Sequence, residues 1–100
     1  MSVNEVVLSG VAHAFSGLRF TPAGVPVAEF SLRHSSMQGE AGTERRVELD
    51  IPAIAFGVIA KRLAEELPQA EITARGFLAA RSRRSIQVVL HTSEVEYSSR

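Results

Sequence analysis

The sequence contains no cysteine and no tryptophan, one tyrosine and a single aspartate, Asp50. Without thiols there is no disulfide scaffold, thiolate metal site or cysteine nucleophile, so a chain of 100 residues draws its stability from packing or self-association. No apolar run is long. Ile51 to Ala60 is broken by Pro52 and Gly57 and falls short of the roughly 20 residues of a membrane-spanning helix. The opening Met1-Ser2-Val3-Asn4-Glu5 lacks a basic start and an apolar run, so the expectation is a cytoplasmic protein with no membrane partner. Catalytic groupings are missing as well. His13, His34 and His91 lack metal-ligand spacing, and His91 and Glu94, three apart on a strand, are expected on opposite faces. Glu65 and Glu66 are adjacent on a helix and do not face one another, and no phosphate loop or dinucleotide fingerprint is present. The expectation is a binding protein rather than an enzyme, with no cofactor and no metal.

What is present reads as one small domain over residues 1–100, 45% apolar and 22% charged. Val6, Val7, Leu8, Val11 and Ala12 suggest a first strand, with Gly10 marking either a bulge or a close backbone approach. Gly17 allows a turn, Leu18-Arg19-Phe20-Thr21 continues as a strand arm, and Pro22-Ala23-Gly24 signals a tight turn. Ala28, Phe30 and Leu32 alternate with Glu29, Ser31 and Arg33, the period of a half-buried second strand. Ser35 to Thr43, polar and carrying Gly39 and Gly42, reads as an extended hairpin loop. Val47, Leu49 and Ile51 alternate in a third strand that Pro52 weakens, unless an edge or a bulge lies there. After Gly57 the period changes: Ile59, Leu63 and Leu67 recur every four residues until Pro68, which predicts a short helix. Ile72, Ala74 and Leu78 form a fourth strand, and Ile86, Val88 and Leu90 a fifth, extended past a kink at Ser93 by Val95 and Tyr97. Short strands in this order fit an all-β, five-stranded Greek-key OB-fold barrel with a helix between strands three and four, better than a parallel βαβ plan.

Charge distribution supplies the functional lead. Eleven basic and eleven acidic side chains cancel, yet residues 1–50 carry a net −2 and residues 51–100 a net +2. No acidic residue lies between Ile72 and Ser93, whereas Arg75, Arg81, Arg83 and Arg84 do. Arg81, Arg83 and Arg84, with Ser82 and Ser85, fall in the predicted hairpin loop between strands four and five. Guanidinium groups stay charged, grip phosphate with two parallel donors and stack on bases. A solvated charge run is the bland alternative. The barrel favours the phosphate reading, because the loops joining strands one to two and four to five flank the oligonucleotide face of an OB fold, so Arg19 can converge with the arginine run. Aromatics are few: Phe30 reads as core, while Phe20, Phe77 and Tyr97 serve either core and subunit contact or base stacking.

The ordered set Val6-Val7-Leu8-Ser9-Gly10, Leu18 to Val27, Phe30-Ser31-Leu32-Arg33-His34, Gln38 to Gly42, Ile51-Pro52-Ala53, Gly76-Phe77-Leu78-Ala79, Arg81 to Ser85 and Val89-Leu90-His91 resembles bacterial single-stranded DNA-binding proteins. It is more similar to their relatives in the primosomal replication protein N (PriB) family. That resemblance implies a homodimeric, non-enzymatic OB-fold protein that binds single-stranded DNA in the replication restart primosome, stimulates the PriA helicase, and has DnaT as a further partner where that protein exists. It matches Arg81, Arg83 and Arg84 to the family's basic loop, Arg19 to a DNA-contacting position, and Val3 to Leu8 to the strand that pairs across the dimer. Glu48 and Thr43 stand where some members carry aromatics, which implies weaker or redistributed DNA contact; Arg33, Arg46 and Arg75 are outward-facing candidates to compensate. Two alternatives remain. A general single-stranded DNA-binding protein usually adds a disordered linker and an acidic tail, unlike the ending Tyr97-Ser98-Ser99-Arg100. A protein-interaction module would instead use the arginine loop to grip an acidic partner.

Overall fold

The computed structural model describes residues 2–66 and 70–98. Period-two patterning gives strands β1 (Val6–His13), β2 (Leu18–Phe20), β3 (Pro26–Glu40), β4 (Thr43–Phe56), β5 (Ala70–Ala80) and β6 (Val88–Tyr97), with helix α1 (Val58–Glu66) between β4 and β5. They run in the order β1-β5-β6-β4-β3-β2, and a further pairing of β1 with β3 closes a five-stranded barrel to which β2 is appended. The pairings are antiparallel except for β4 with β6. This is the OB-fold barrel expected from the patterning. The predicted strand arm is β2, so the helix expected between strands three and four lies between β4 and β5.

Ala28, Phe30 and Leu32 on β3 face inward against Ala12, Ala53, Ala55, Ile72, Ala74 and Leu90. Leu63 of α1 joins this cluster, and Ile59 packs against it. Leu32, Leu63, Ile72 and Leu90 are the largest fully buried side chains, each contributing about 1.5–3 kcal/mol through burial. Alanines alternating with these larger groups let a narrow barrel close without overfilling it. The helical positions assigned to Leu67 and Pro68 lie outside the described residues.

Gly10 is a site of close backbone approach: a Cβ there would stand 2.2 Å from the Arg33 carbonyl oxygen, where β1 crosses from β5 to β3. The kink at Ser93 is a bulge, since Arg75 pairs with Glu94 while Gly76 pairs with Thr92. That extra residue reverses the strand's parity, so His91 and Glu94, expected on opposite faces, share one.

Two further expectations need correction. Ser35 to Thr43 is not a loop: β3 and β4 stay paired out to Glu40 and Thr43, and only Ala41 and Gly42 turn, both at positive φ (52° and 78°) as a two-residue hairpin turn requires. Ladder hydrogen bonds do not need an apolar face, so a ribbon exposed on both sides leaves no hydrophobic period to read. The radius of gyration, 14.5 Å against about 13 Å for a compact chain of this length, reflects that projecting ribbon. At Pro52 the edge condition left open by the sequence is met: β4 runs on to Phe56, and β6 joins that flank only from Ala53, so the missing N–H falls where no β6 ladder exists. Ile86 is not in the last strand. It is 99% exposed, and the hairpin closes at Arg81 N–H to Gln87 O, 2.9 Å, leaving residues 82–86 as loop.

Candidate nucleic-acid interface

The β5–β6 loop is built by its own small residues. Ser85 N–H donates to Ser82 O at 3.2 Å and Gln87 N–H to Ser85 Oγ at 3.0 Å, a tight turn that leaves the side chains of Arg81, Arg83 and Arg84 exposed. Among the described residues, no carboxylate lies within 4.0 Å of any of the three. They form a cationic hairpin that no described carboxylate neutralises.

Beneath this loop lies a cleft of about 470 Å³. It is lined by Ala80 and Arg81 at the end of β5, by Ala14 and Ser16 of the β1–β2 connection, and by residues of β3, β4 and β6 that include Glu29, Pro52 and His91. The two loops that flank an OB-fold ligand face therefore frame one open groove.

Next to the groove is a row of rings. Phe77 stacks on His91 with centroids 4.9 Å apart and planes 14° from parallel, and Phe56 follows at 6.3 Å and 24°. Phe56 and Phe77 are 45% and 43% exposed, so their faces remain open to solvent. The rings come from β4, β6 and β5, whose alternate residues share this outer face. Phe77 is exposed, one of the roles left open by the sequence, and Phe20 is exposed too; Phe30 is core. Tyr97 packs against the core beneath the Arg62 guanidinium. The sequence does not single out Phe56 and His91, because the reach of the strand past Pro52 stays open there and histidine spacing speaks to ligands and bases, not to a ring.

The remaining predicted cations are exposed but held. Arg19 of β2 is ion-paired with Glu29 of β3. Arg33 stands opposite Asp50, with Nε 3.9 Å from Oδ2, and Nη2 is 3.4 Å from Nδ1 of His13, whose Nε2 lies 2.7 Å from Asp50 Oδ1. Arg46 donates from Nε and Nη2 to Glu48 Oε2 at 3.2 and 3.0 Å. Arg75 approaches Glu94 at 4.0 Å, across the boundary of the acid-free window. Arg46 lies six residues from Pro52 along β4, about 20 Å up the ribbon from the cleft floor. The structure thus places Arg81 in the lining of the groove and Arg19 against Glu29, which also lines it, keeps Arg83 and Arg84 on the loop, and spreads Arg33 and Arg46 along the ribbon. Among the described residues, no three His, Asp or Glu side chains converge as metal ligands, and no helix is long and apolar enough to cross a membrane.

Residues 4–94 match the profile of a family described as another single-strand binding protein family. The chain is 38% identical over 91 residues to replication restart protein PriB of Nitrosomonas europaea, covering 91% of this chain and 84% of that one. The chain belongs to the PriB family. The Bordetella pertussis PriB is 40% identical over 92 residues, covering 92% of this chain and 86% of its own. A solved structure of PriB from Ralstonia solanacearum superposes with a TM-score of 0.86 at 33% identity, over 98% of this chain and all of that one. The family likeness therefore extends through the groove and both loops that frame it.

Proposed function

We propose that the protein binds single-stranded DNA as a non-enzymatic accessory factor of replication restart, anchoring the phosphodiester chain on Arg81, Arg83 and Arg84. The observation that carries this reading is a contrast among the exposed arginines: Arg19, Arg33, Arg45, Arg46 and Arg75 each have a carboxylate within 4.0 Å, while the three arginines of the β5–β6 loop, of which Arg81 lines the cleft, have none among the described residues. Phosphates then meet preformed cationic donors, and unpaired bases can lie on the Phe77–His91–Phe56 row, a contact duplex DNA cannot make with its bases stacked inside. Arg19, Arg33 and Arg46 are secondary contacts along the same face. PriB relatives supply the context of replication restart, and PriA, with DnaT where it occurs, is the partner set that family membership supports.

Self-association completes the proposal. One edge of β1 pairs with β5 along its length, but the other meets β3 only from Val11 to His13. Val6 to Gly10 thus offer an edge without a strand partner among the described residues, flanked by exposed Val3 and Val7. A second copy pairing there removes an exposed edge, so the homodimer forms through the first strand.

Fluorescence anisotropy with single-stranded and duplex oligonucleotides at two salt concentrations tests the ligand class. Preference for the single strand is expected, with log K falling against log salt at a slope of about −2 for three phosphates. Tight binding with a flat salt response contradicts the electrostatic anchor, and retention of acidic polypeptide without DNA assigns the loop to a protein partner instead.

A further inference from the structure

Each arginine on the strand face is matched by an acidic side chain of the same face. Glu29, which holds Arg19, also lines the cleft; Asp50 faces Arg33 across the β3–β4 ladder; Glu48 takes both donors of Arg46. Asp50 and Glu48 follow Pro52 and Ile54 at period two along β4, so they continue the cleft floor outward onto the ribbon. A carboxylate offers a guanidinium two anionic oxygens in nearly the arrangement of a phosphate. A phosphodiester crossing this face must displace that carboxylate from the arginine and also lie against its negative charge. The loop arginines impose neither requirement.

We propose that Glu29, Asp50 and Glu48 act as internal phosphate mimics that compete with DNA for Arg19, Arg33 and Arg46, keep those contacts secondary, and so concentrate affinity on the arginine loop and the cleft. The inference rests on the single-stranded DNA reading above. Exposed ion pairs are individually weak, so the restraint is graded rather than absolute: DNA leaves the strand face readily while staying tethered at the loop.

The test compares Glu29→Gln, Glu48→Gln and their double variant with Glu96→Gln, a control at the end of β6 far from the arginine loop, by anisotropy of a labelled oligothymidylate over a salt series. Each of the first two substitutions keeps the side chain's size, frees one arginine and removes one negative charge from the path. Affinity is expected to rise about three- to tenfold per substitution, and the salt slope to steepen by about 0.7 for each arginine recruited. Glu96→Gln should change neither. Unaltered or weakened binding in the Glu29 and Glu48 variants, in a protein whose DNA binding still depends on the loop arginines, overturns the mimicry and leaves the proposed function standing. An equal gain from Glu96→Gln overturns it as well, by reducing the effect to net charge. A wild-type protein that binds no single-stranded DNA removes the functional reading itself.

Discussion

The ring of Phe77 lies 4.9 Å from the imidazole of His91, with the two planes 14° apart. The residues are direct partners on β5 and β6, so the contact is set by strand register and needs no flexible loop. Rings held this way lose little freedom when a base stacks on them. Replacing Phe77 with leucine removes the π face but keeps an apolar side chain of similar bulk. Stacking contributes about 1–3 kcal/mol per base, so Phe77→Leu should weaken single-stranded DNA binding about fivefold or more, with the melting temperature nearly unchanged. Equal affinity in wild type and variant would show that bases do not use this row.

The barrel was readable because its inward face carries a period. Phe30 and Leu32 are buried while Glu29, Ser31 and Arg33 are not, and the same rule located β5 and the helical stripe of Ile59 and Leu63. The distal ribbon was not readable for the complementary reason: with both faces in water, Ser35 to Glu40 has nothing to alternate against. Pro52 left the end of β4 open because a proline's effect depends on whether its flank carries a ladder, and that is a property of β6, far away in sequence. The arginine run was visible as a charge pattern, whereas the pairing of Arg19, Arg33 and Arg46 with carboxylates depends on cross-strand and same-face neighbours. The ring row needed three strands to be in register before it existed.

Among the described residues the side chains of Arg81, Arg83 and Arg84 make no ion pair, so removing them should spare the fold. The triple alanine variant is expected to melt like wild type, to lose at least about tenfold in affinity for single-stranded DNA at moderate salt, and to flatten the salt slope by about 2. Anisotropy titrations at several salt concentrations give both quantities. Unchanged affinity takes the loop out of the mechanism, whatever the family likeness.

Gly76 tests the barrel rather than the site. A Cβ at this position would stand 1.7 Å from the carbonyl oxygen of His91 and 3.2 Å from Cα of Thr92, both backbone atoms of β6 at the bulge. Neither can move without breaking the β5–β6 ladder. Gly76→Ala should therefore destabilise the protein by at least about 2 kcal/mol, and lower the melting temperature by roughly 10 °C. Because His91 sits at the same point, the variant should also disturb the ring row and weaken DNA binding. Thermal denaturation showing wild-type stability would contradict the close approach.

Tyr97 is the only tyrosine, and there is no tryptophan, so its titration can be followed alone through phenolate absorbance. Its hydroxyl is buried and, among the described residues, has no hydrogen-bond partner. Burial disfavours the phenolate and raises the pKa above the ordinary 10.0; the Arg62 guanidinium, 5.0 Å from the ring centroid, opposes this, and Glu66 and Glu65 reinforce it. A group that holds its proton more tightly when folded contributes stability that is fully present below the unfolded value and lost as pH rises through the folded one. Unfolding free energy should accordingly be insensitive to Tyr97 below about pH 10 and decline above it. Arg62→Met keeps an apolar chain over the ring but removes the charge, so the titration should move further upward. A phenol that ionises at or below its ordinary value, or that titrates lower in Arg62→Met, would show that the ring is not buried against the core and that the guanidinium does not act on it.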